Sequence, residues 1–204
     1  EFLRKHCVEK LGIKHIKANV TGINKANNGD IASIETDSHG TISGDLFIDC
    51  SGSRALLLGQ HYGIPICDKN DILFNNTALA AQIPYSNDSD PVASCTLSTA
   101  QTAGWIWDIG LPTRRGIGHV YSSAHNSEER AAEELLSYIA TTAGKQAAAA
   151  ATLRKVAFSP GHRAKFWHKN CVAVGMSAGF IEPLEASALV LVELSAAMIA
   201  EQLP

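Results

Sequence analysis

The sequence predicts a mixed α/β (α+β) fold. Three observations carry this: strands that turn on Asn, Asp and Gly; two short apolar runs that end in glycine; and helical patterns at both ends of the chain. The turns are Asn27-Asn28-Gly29-Asp30 and Asp37-Ser38-His39-Gly40. Asn, Asp and Gly tolerate positive φ, so such clusters between alternating apolar residues mark antiparallel hairpins. The apolar runs are Leu46-Phe47-Ile48, before Asp49-Cys50-Ser51-Gly52-Ser53, and Val172–Val174, before Gly175-Met176-Ser177-Ala178-Gly179. A strand without a polar side is expected to be buried on both faces. Where it runs into a Gly/Ser turn, an α/β sheet presents its binding edge.

In chain order, Glu1–Gly12 reads as a helix closed by Gly12 as C-cap. His15–Asn24, Ile31–Thr36 and Thr41–Ser43 form a small antiparallel meander. Leu73–Ile83 and Ser94–Ile109 carry β signals on either side of a polar loop, Pro84–Pro91. Gly116–Ser122 follows the Pro112–Arg115 turn, giving a second, antiparallel sheet. Asn126 is a suitable N-cap with Glu129 completing a capping box, for a helix through Leu135, Leu136 and Ile139. Gln146–Ala151 is helical by propensity. Ala186–Gln202 is a long apolar helix pattern. With no initiator Met and helical patterns at both ends, the chain is expected to be a piece of a larger fold.

Composition narrows the function classes. Of 204 residues, 46% are hydrophobic and 18% charged, with 17 Lys+Arg against 20 Asp+Glu and a formal net charge of −3. That is too apolar for disorder and offers no general attraction to nucleic acid. No apolar run approaches the roughly 18–20 residues of a membrane span. The five cysteines are odd in number and lack CxxC spacing. This argues against a disulfide framework or structural zinc and for a reducing, cytoplasmic compartment. Cys50 and Cys171 follow apolar runs and are expected to be buried thiols. The eight His are scattered without HExxH, so no metal site is expected.

Three segments could carry chemistry. In Asn170–Leu189, NCVAVGMSAGFIEPLEASAL, glycines allow a close approach of backbone to a ligand. Pro183 can open a helix, and the amides through about Ala188 would then form an anion site. Glu185 would sit in the first turn, where the dipole favours a carboxylate. Equally, Glu182 and Glu185 could be first-turn charges and nothing more. In Gly104–Leu111, GWIWDIGL, Trp105 and Trp107 share one strand face, as core or as a wall, and Asp108 opposite them is expected to be solvated. In Asp45–Arg54, DLFIDCSGSR, Asp49 could bond a ribose or cap a turn.

In this order and spacing the segments resemble the flavin-dependent tryptophan halogenase family. GWIWDIGL is similar to the family's GWxWxIP motif, and the EPLE stretch and the DLFIDCSGSR strand also match. The resemblance implies part of a FAD-binding, Rossmann-like flavin monooxygenase fold with an antiparallel substrate-side sheet. It implies a FAD-binding part with the meander at 1–60, the substrate-side sheet and helix at 61–160, and a return to the FAD-binding part with the halide-site helix at 161–204. Such enzymes take reduced FAD from a separate flavin reductase. With O2 and chloride or bromide they make hypohalous acid, which travels through a tunnel to an aromatic, indole-like substrate beside a Lys and a Glu. Carried over, Glu185 is the catalytic Glu and Ser187 and Ala188 hold halide. Gly52, Gly175, Ser177 and Ala178 lie beside the flavin, and Trp105 and Trp107 wall it from the tunnel. Gly110 replaces the motif's Pro, which would loosen that loop. Ala186-Ser187-Ala188 replaces Ser-Thr-Gly and leaves the substrate open among an indole, a phenol or a peptide-like aromatic. The family's GxGxxG unit and catalytic Lys lie upstream of this chain, so the chain alone is expected to bind FAD weakly or not at all. A non-halogenating FAD-dependent monooxygenase, or a flavin-fold module without catalysis, are the alternatives.

Overall fold

The computed structural model describes residues 1–87, 89–181, 183–184 and 187–203. In chain order the elements are α1 (Phe2–Leu11), β1 (Val20–Lys25), β2 (Ile31–Thr36), β3 (Gly40–Ser43), β4 (Phe47–Asp49), β5 (Ile66–Asp68), β6 (Thr77–Pro84), β7 (Leu97–Gln101), β8 (Gly104–Gly110) and β9 (Arg114–Tyr121). They continue as α2 (Glu128–Ala143), α3 (Lys145–Ala150), β10 (Arg154–Ala157), β11 (Gly161–Arg163), β12 (Trp167–His168), β13 (Cys171–Ala173), β14 (Gly179–Phe180) and α4 (Ser187–Gln202). Two compact units result: one of Glu1–Pro65, Arg163–Ala178 and the chain from Ser195 on, the other of Ile66–His162 and Gly179–Leu194.

The first unit holds the meander β1-β2-β3 and a three-stranded sheet in the order β12-β13-β4, in which β13 and β4 are parallel. Gly12 closes α1 in the left-handed conformation, φ 68°. The first meander strand is shorter than expected and begins at Val20, not His15. Asn19 turns to the Asp37 carboxylate with its backbone N–H (3.1 Å) and its amide (2.6 Å), which ends the ladder there. Asn170 ties the two sheets together: its Oδ1 accepts from the Ile31 amide (2.8 Å) and its Nδ2 donates to the Ile31 carbonyl (2.9 Å). The core beneath is Ile31, Phe47, Leu57, Leu58, Cys171 and Ala173.

β4 departs from the expectation of burial on both faces. Phe47 and Asp49 point into the core, but Ile48 is 49% exposed. Side chains alternate along a strand, so Cys50 shares the open face with Ile48 and is exposed, whereas Cys171 is buried.

The second unit is built on a five-stranded antiparallel sheet, β10-β6-β9-β8-β7, with α2 across one face. Ala131, Leu135 and Ile139 of α2 fall on one helical stripe. They pack on Leu79, Ala81, Ile83, Ile106, Ile117 and Tyr121. The helix is capped by Ser127, whose hydroxyl accepts from the Arg130 amide, and not by Asn126. Asn126 instead donates from its Nδ2 to the Glu134 carboxylate, 3.0 Å away.

Three strand boundaries also differ. The Leu73–Ile83 signal becomes a strand only at Thr77. Before it, Asn76 bonds Ser123 through both ends of its side chain, and the ladder starts with Thr77 opposite Tyr121. The Ser94–Ile109 signal is a hairpin, β7-β8, with Gln101 opposite Gly104. β9 starts at Arg114, so Arg114 and Arg115 belong to the ladder and not to the turn. No helix among the described residues is long and apolar enough to cross a membrane.

Candidate functional site

In the first unit, β4 and β13 run in register, with Phe47, Ile48 and Asp49 beside Cys171, Val172 and Ala173. Their carboxyl ends therefore lie side by side. Each leads into a 3₁₀ turn that opens on a left-handed glycine: Gly52–Arg54, with Gly52 at φ 70°, and Gly175–Ser177, with Gly175 also at φ 70°. This is the edge at which open α/β sheets bind ligands.

The polar side chains at this edge are spent inward. Asp49 is 1% exposed, and its carboxylate accepts from the Ser51 amide and hydroxyl and from the amides of Leu57 (3.0 Å) and Leu58 (2.8 Å). Of the two roles open to it, Asp49 takes the capping one. The buried Ser177 hydroxyl donates to the Asp49 carbonyl, with the Val174 carbonyl at 2.8 Å. Arg163 spans the loops from behind: its Nη1 donates to the Ile64 carbonyl (2.7 Å), its Nε to the Ser177 carbonyl (3.1 Å) and its backbone N–H to the Ala178 carbonyl (2.7 Å). The turns are left presenting backbone and small residues, Gly52 and Gly175 among them. That surface suits close approach of a ligand to backbone.

Two thiols lie nearby, Cys50 just past β4 and Cys171 at the start of β13, and both are held above the ordinary thiol value. Burial, and then the Asp49 charge, push Cys171 from 9.0 up to about 12, and the same two causes raise Cys50. Among the described residues no three His, Cys, Asp or Glu converge as metal ligands would.

In the second unit, Trp105 and Trp107 stand on the face of β8 away from α2, opposite Val120 and Gly118 of β9. Their ring centroids are 6.3 Å apart with planes at 62°, and both are half-buried. On the α2 face Asp108 is not solvated: it is 3% exposed. Arg115 grips it through Nε (3.1 Å) and Nη2, and the Tyr138 hydroxyl donates to it at 3.0 Å. Arg115 also donates to the Thr142 carbonyl and hydroxyl. The ladder puts Arg115 near Asp108 and α2 delivers Tyr138 and Thr142, so strand and helix together bury the charge.

Gly110 is the last residue of β8, opposite Arg115. A β-carbon there would lie 2.9 Å from both the N and the O of Ala93. The glycine admits the Val92–Ala93 backbone against the end of β8. Ser187 and Ala188 are the first two residues of α4, Ser187 half-buried and Ala188 exposed. Pro183 lies four residues before Ser187, the first described residue of α4. Glu182, Glu185 and Ala186 lie outside the described residues.

Two contributors to these surfaces escape a reading of the sequence. Gly118 lies directly beneath the Trp107 ring. A glycine inside a strand, in GIGHVYS, was the available signal for close packing. Arg163 carries no local signal, because its acceptors are backbone carbonyls brought in from two other loops.

The sequence profile of the tryptophan halogenase family matches residues 1–204. The chain belongs to the tryptophan halogenase family. A tryptophan halogenase structure from Shewanella frigidimarina superposes with a TM-score of 0.92 at 51% identity, over 100% of this chain and 38% of that one. The tryptophan 6-halogenase SttH of Streptomyces toxytricini gives 0.89 at 33% identity, over 100% of this chain and 39% of that one. Tryptophan 7-halogenase RebH of Lentzea aerocolonigenes is 35% identical over 189 residues, 93% of this chain and 35% of that protein. The chain thus spans about a third of the length of the curated relatives it matches. In this tryptophan halogenase family chain, the GWxW signature is the half-buried indole pair on β8, and α4 is described from Ser187, two residues after EPLE.

Proposed function

We propose that the intact protein is a flavin-dependent halogenase, which uses reduced FAD, O2 and chloride or bromide to halogenate an aromatic, indole-like substrate. The observation that carries this is the Trp105–Trp107 pair on the side of β8 away from α2, in a chain matched from end to end by the halogenase family. Reduced FAD, received from a separate flavin reductase, supplies with O2 the oxidising equivalents that turn halide into hypohalous acid.

The residues of this chain then have distinct tasks. Gly52, Gly175, Ser177 and Ala178 would hold the flavin, the glycines by exposing backbone and Ser177 by locking the second turn to Asp49. Trp105 and Trp107 line the way to the substrate and keep organic molecules and bulk water from the flavin. The first-turn amides of α4, at Ser187 and Ala188, bind halide at the positive end of the helix dipole. Glu185 polarises hypohalous acid or accepts the proton that leaves the ring carbon once halogen has added. The printed specificities of the relatives, tryptophan 7-halogenase and tryptophan 6-halogenase, support tryptophan or another indole as substrate. Five unpaired thiols fit a cytoplasmic setting.

The full-length protein, supplied with a flavin reductase, NADH, FAD, air and either halide, tests this against tryptophan and simple indoles. Mass spectra should show the isotope pair of chlorine or bromine in the product. A hydroxylated, halogen-free product would replace the halogenase reading by a monooxygenase one.

A further inference from the structure

We propose that Gly118 is the positioning residue of the indole wall: the lack of a side chain at this point of β9 is what lets Trp107 lie across the sheet. The proposal rests on the reading of Trp105 and Trp107 as the guard between flavin and substrate. It adds the residue that sets the guard's geometry.

Gly118 is directly opposite Trp107 in the β8–β9 ladder. It is not among the positive-φ glycines, so its backbone would accept any residue. What it lacks is room. A β-carbon at 118 would sit 2.2 Å from Cζ2 and 2.3 Å from Cη2 of Trp107, and 2.7 Å from the Leu79 carbonyl oxygen. To regain ordinary contact the benzo edge of the indole would have to lift by about 1 Å or more. Neighbours on the same face of β9 show that this is specific. Trp105 stands opposite Val120, which is fully buried. Gly116 stands opposite Ile109, and a β-carbon there would meet nothing within 4 Å. One indole therefore stands beside a filled position and the other lies over an empty one, which accounts for the 62° between their planes. A shift of about 1 Å in a wall beside a reacting centre is enough to change how a reactive species partitions.

The test uses the full-length protein with four variants: Gly118→Ala, Gly116→Ala, Trp107→Phe, and Trp107→Phe combined with Gly118→Ala. Two signals are read on folded protein. One is the fluorine resonance of 5-fluorotryptophan at position 107, assigned by its loss in Trp107→Phe. The other is halogenated product formed per flavin oxidised, the remainder appearing as hydrogen peroxide. Gly118→Ala should move the resonance and lower halogenated product per flavin by about tenfold. Gly116→Ala should leave the resonance unmoved and the yield within about twofold, and Gly118→Ala added to Trp107→Phe should change the yield by less than about twofold. The proposal is overturned by an unmoved resonance in Gly118→Ala. It is equally overturned by a loss that persists in the Trp107→Phe background, which would trace the effect to the Leu79 carbonyl. If Gly118→Ala does not fold, the double variant must restore folding, and failure to do so overturns the proposal. If the wild-type protein makes no halogenated product, the halogenase reading fails, while the fluorine shift still decides the positioning claim.

Discussion

At the ends of β4 and β13, Gly52 and Gly175 hold φ at 70°, and a β-carbon at Gly52 would meet nothing within 4 Å. On β9, Gly118 keeps ordinary backbone, and a β-carbon would run into an indole. The same residue type thus answers two demands, conformation in one unit and space in the other. The difference extends to how each surface is made. In the first unit Asp49, Ser177 and Arg163 spend their polar groups on neighbouring loops, and the surface is backbone. In the second, Asp108 is buried under α2 against a half-buried Arg115, and the opposite face carries two large aromatic side chains.

The contrast can be broken by mutation, the largest effect first. Asp108→Ala would leave the Arg115 guanidinium without its main partner and should cost about 3–5 kcal/mol, read by chemical denaturation of the full-length protein. Asp49→Asn would set an amide NH2 against backbone donors at the start of the Leu56–His61 turn, costing about 2–3 kcal/mol. It would also remove a charge that raises Cys50, so that thiol should label faster. Should the two substitutions exchange their order, the polar anchoring of the units would be the reverse of what is described.

The glycines sharpen the comparison further. Gly52→Ala should cost about 1–2 kcal/mol through left-handed strain, and Gly52→Asn should recover most of it, since Asn tolerates that conformation. At position 118 the order reverses, with Asn worse than Ala, because volume and not φ is limiting. Thermal melts of the four variants decide the matter.

The smallest effect at neutral pH belongs to Cys171. Its folded-state pKa is raised to about 12 from 9.0, so the fold keeps a proton that the unfolded chain gives up. The stability linked to this thiol is complete below 9.0 and falls as pH rises towards 12. The stability difference between wild type and Cys171→Ala should therefore shrink over that range and stay constant below it.

What could be seen in the sequence was mostly local. The Asn27–Asp30 turn, the Gly12 cap and the α2 stripe depend on residues within a turn or two of each other. Gly52 and Gly175 and the Trp pair were singled out by motif resemblance, and they occupy a shared strand edge and a shared strand face. Asp108 was misread because its partners arrive through a ladder and a helix, and Ile48 and Cys50 because a short apolar run does not say which face is covered. Asn126 and Ser127 are equally good caps by type, and Glu134, about two helical turns away, decided between them. Gly118 and Arg163 act through contacts that no neighbouring residue announces.

A crystal of the full-length protein loaded with FAD and bromide tests the central claim most directly. The account predicts isoalloxazine density against the Gly52 and Gly175 turns and an anomalous bromide peak at the Ser187 and Ala188 amides. Flavin density elsewhere, or bromide absent from the start of α4 with FAD in place, would contradict it.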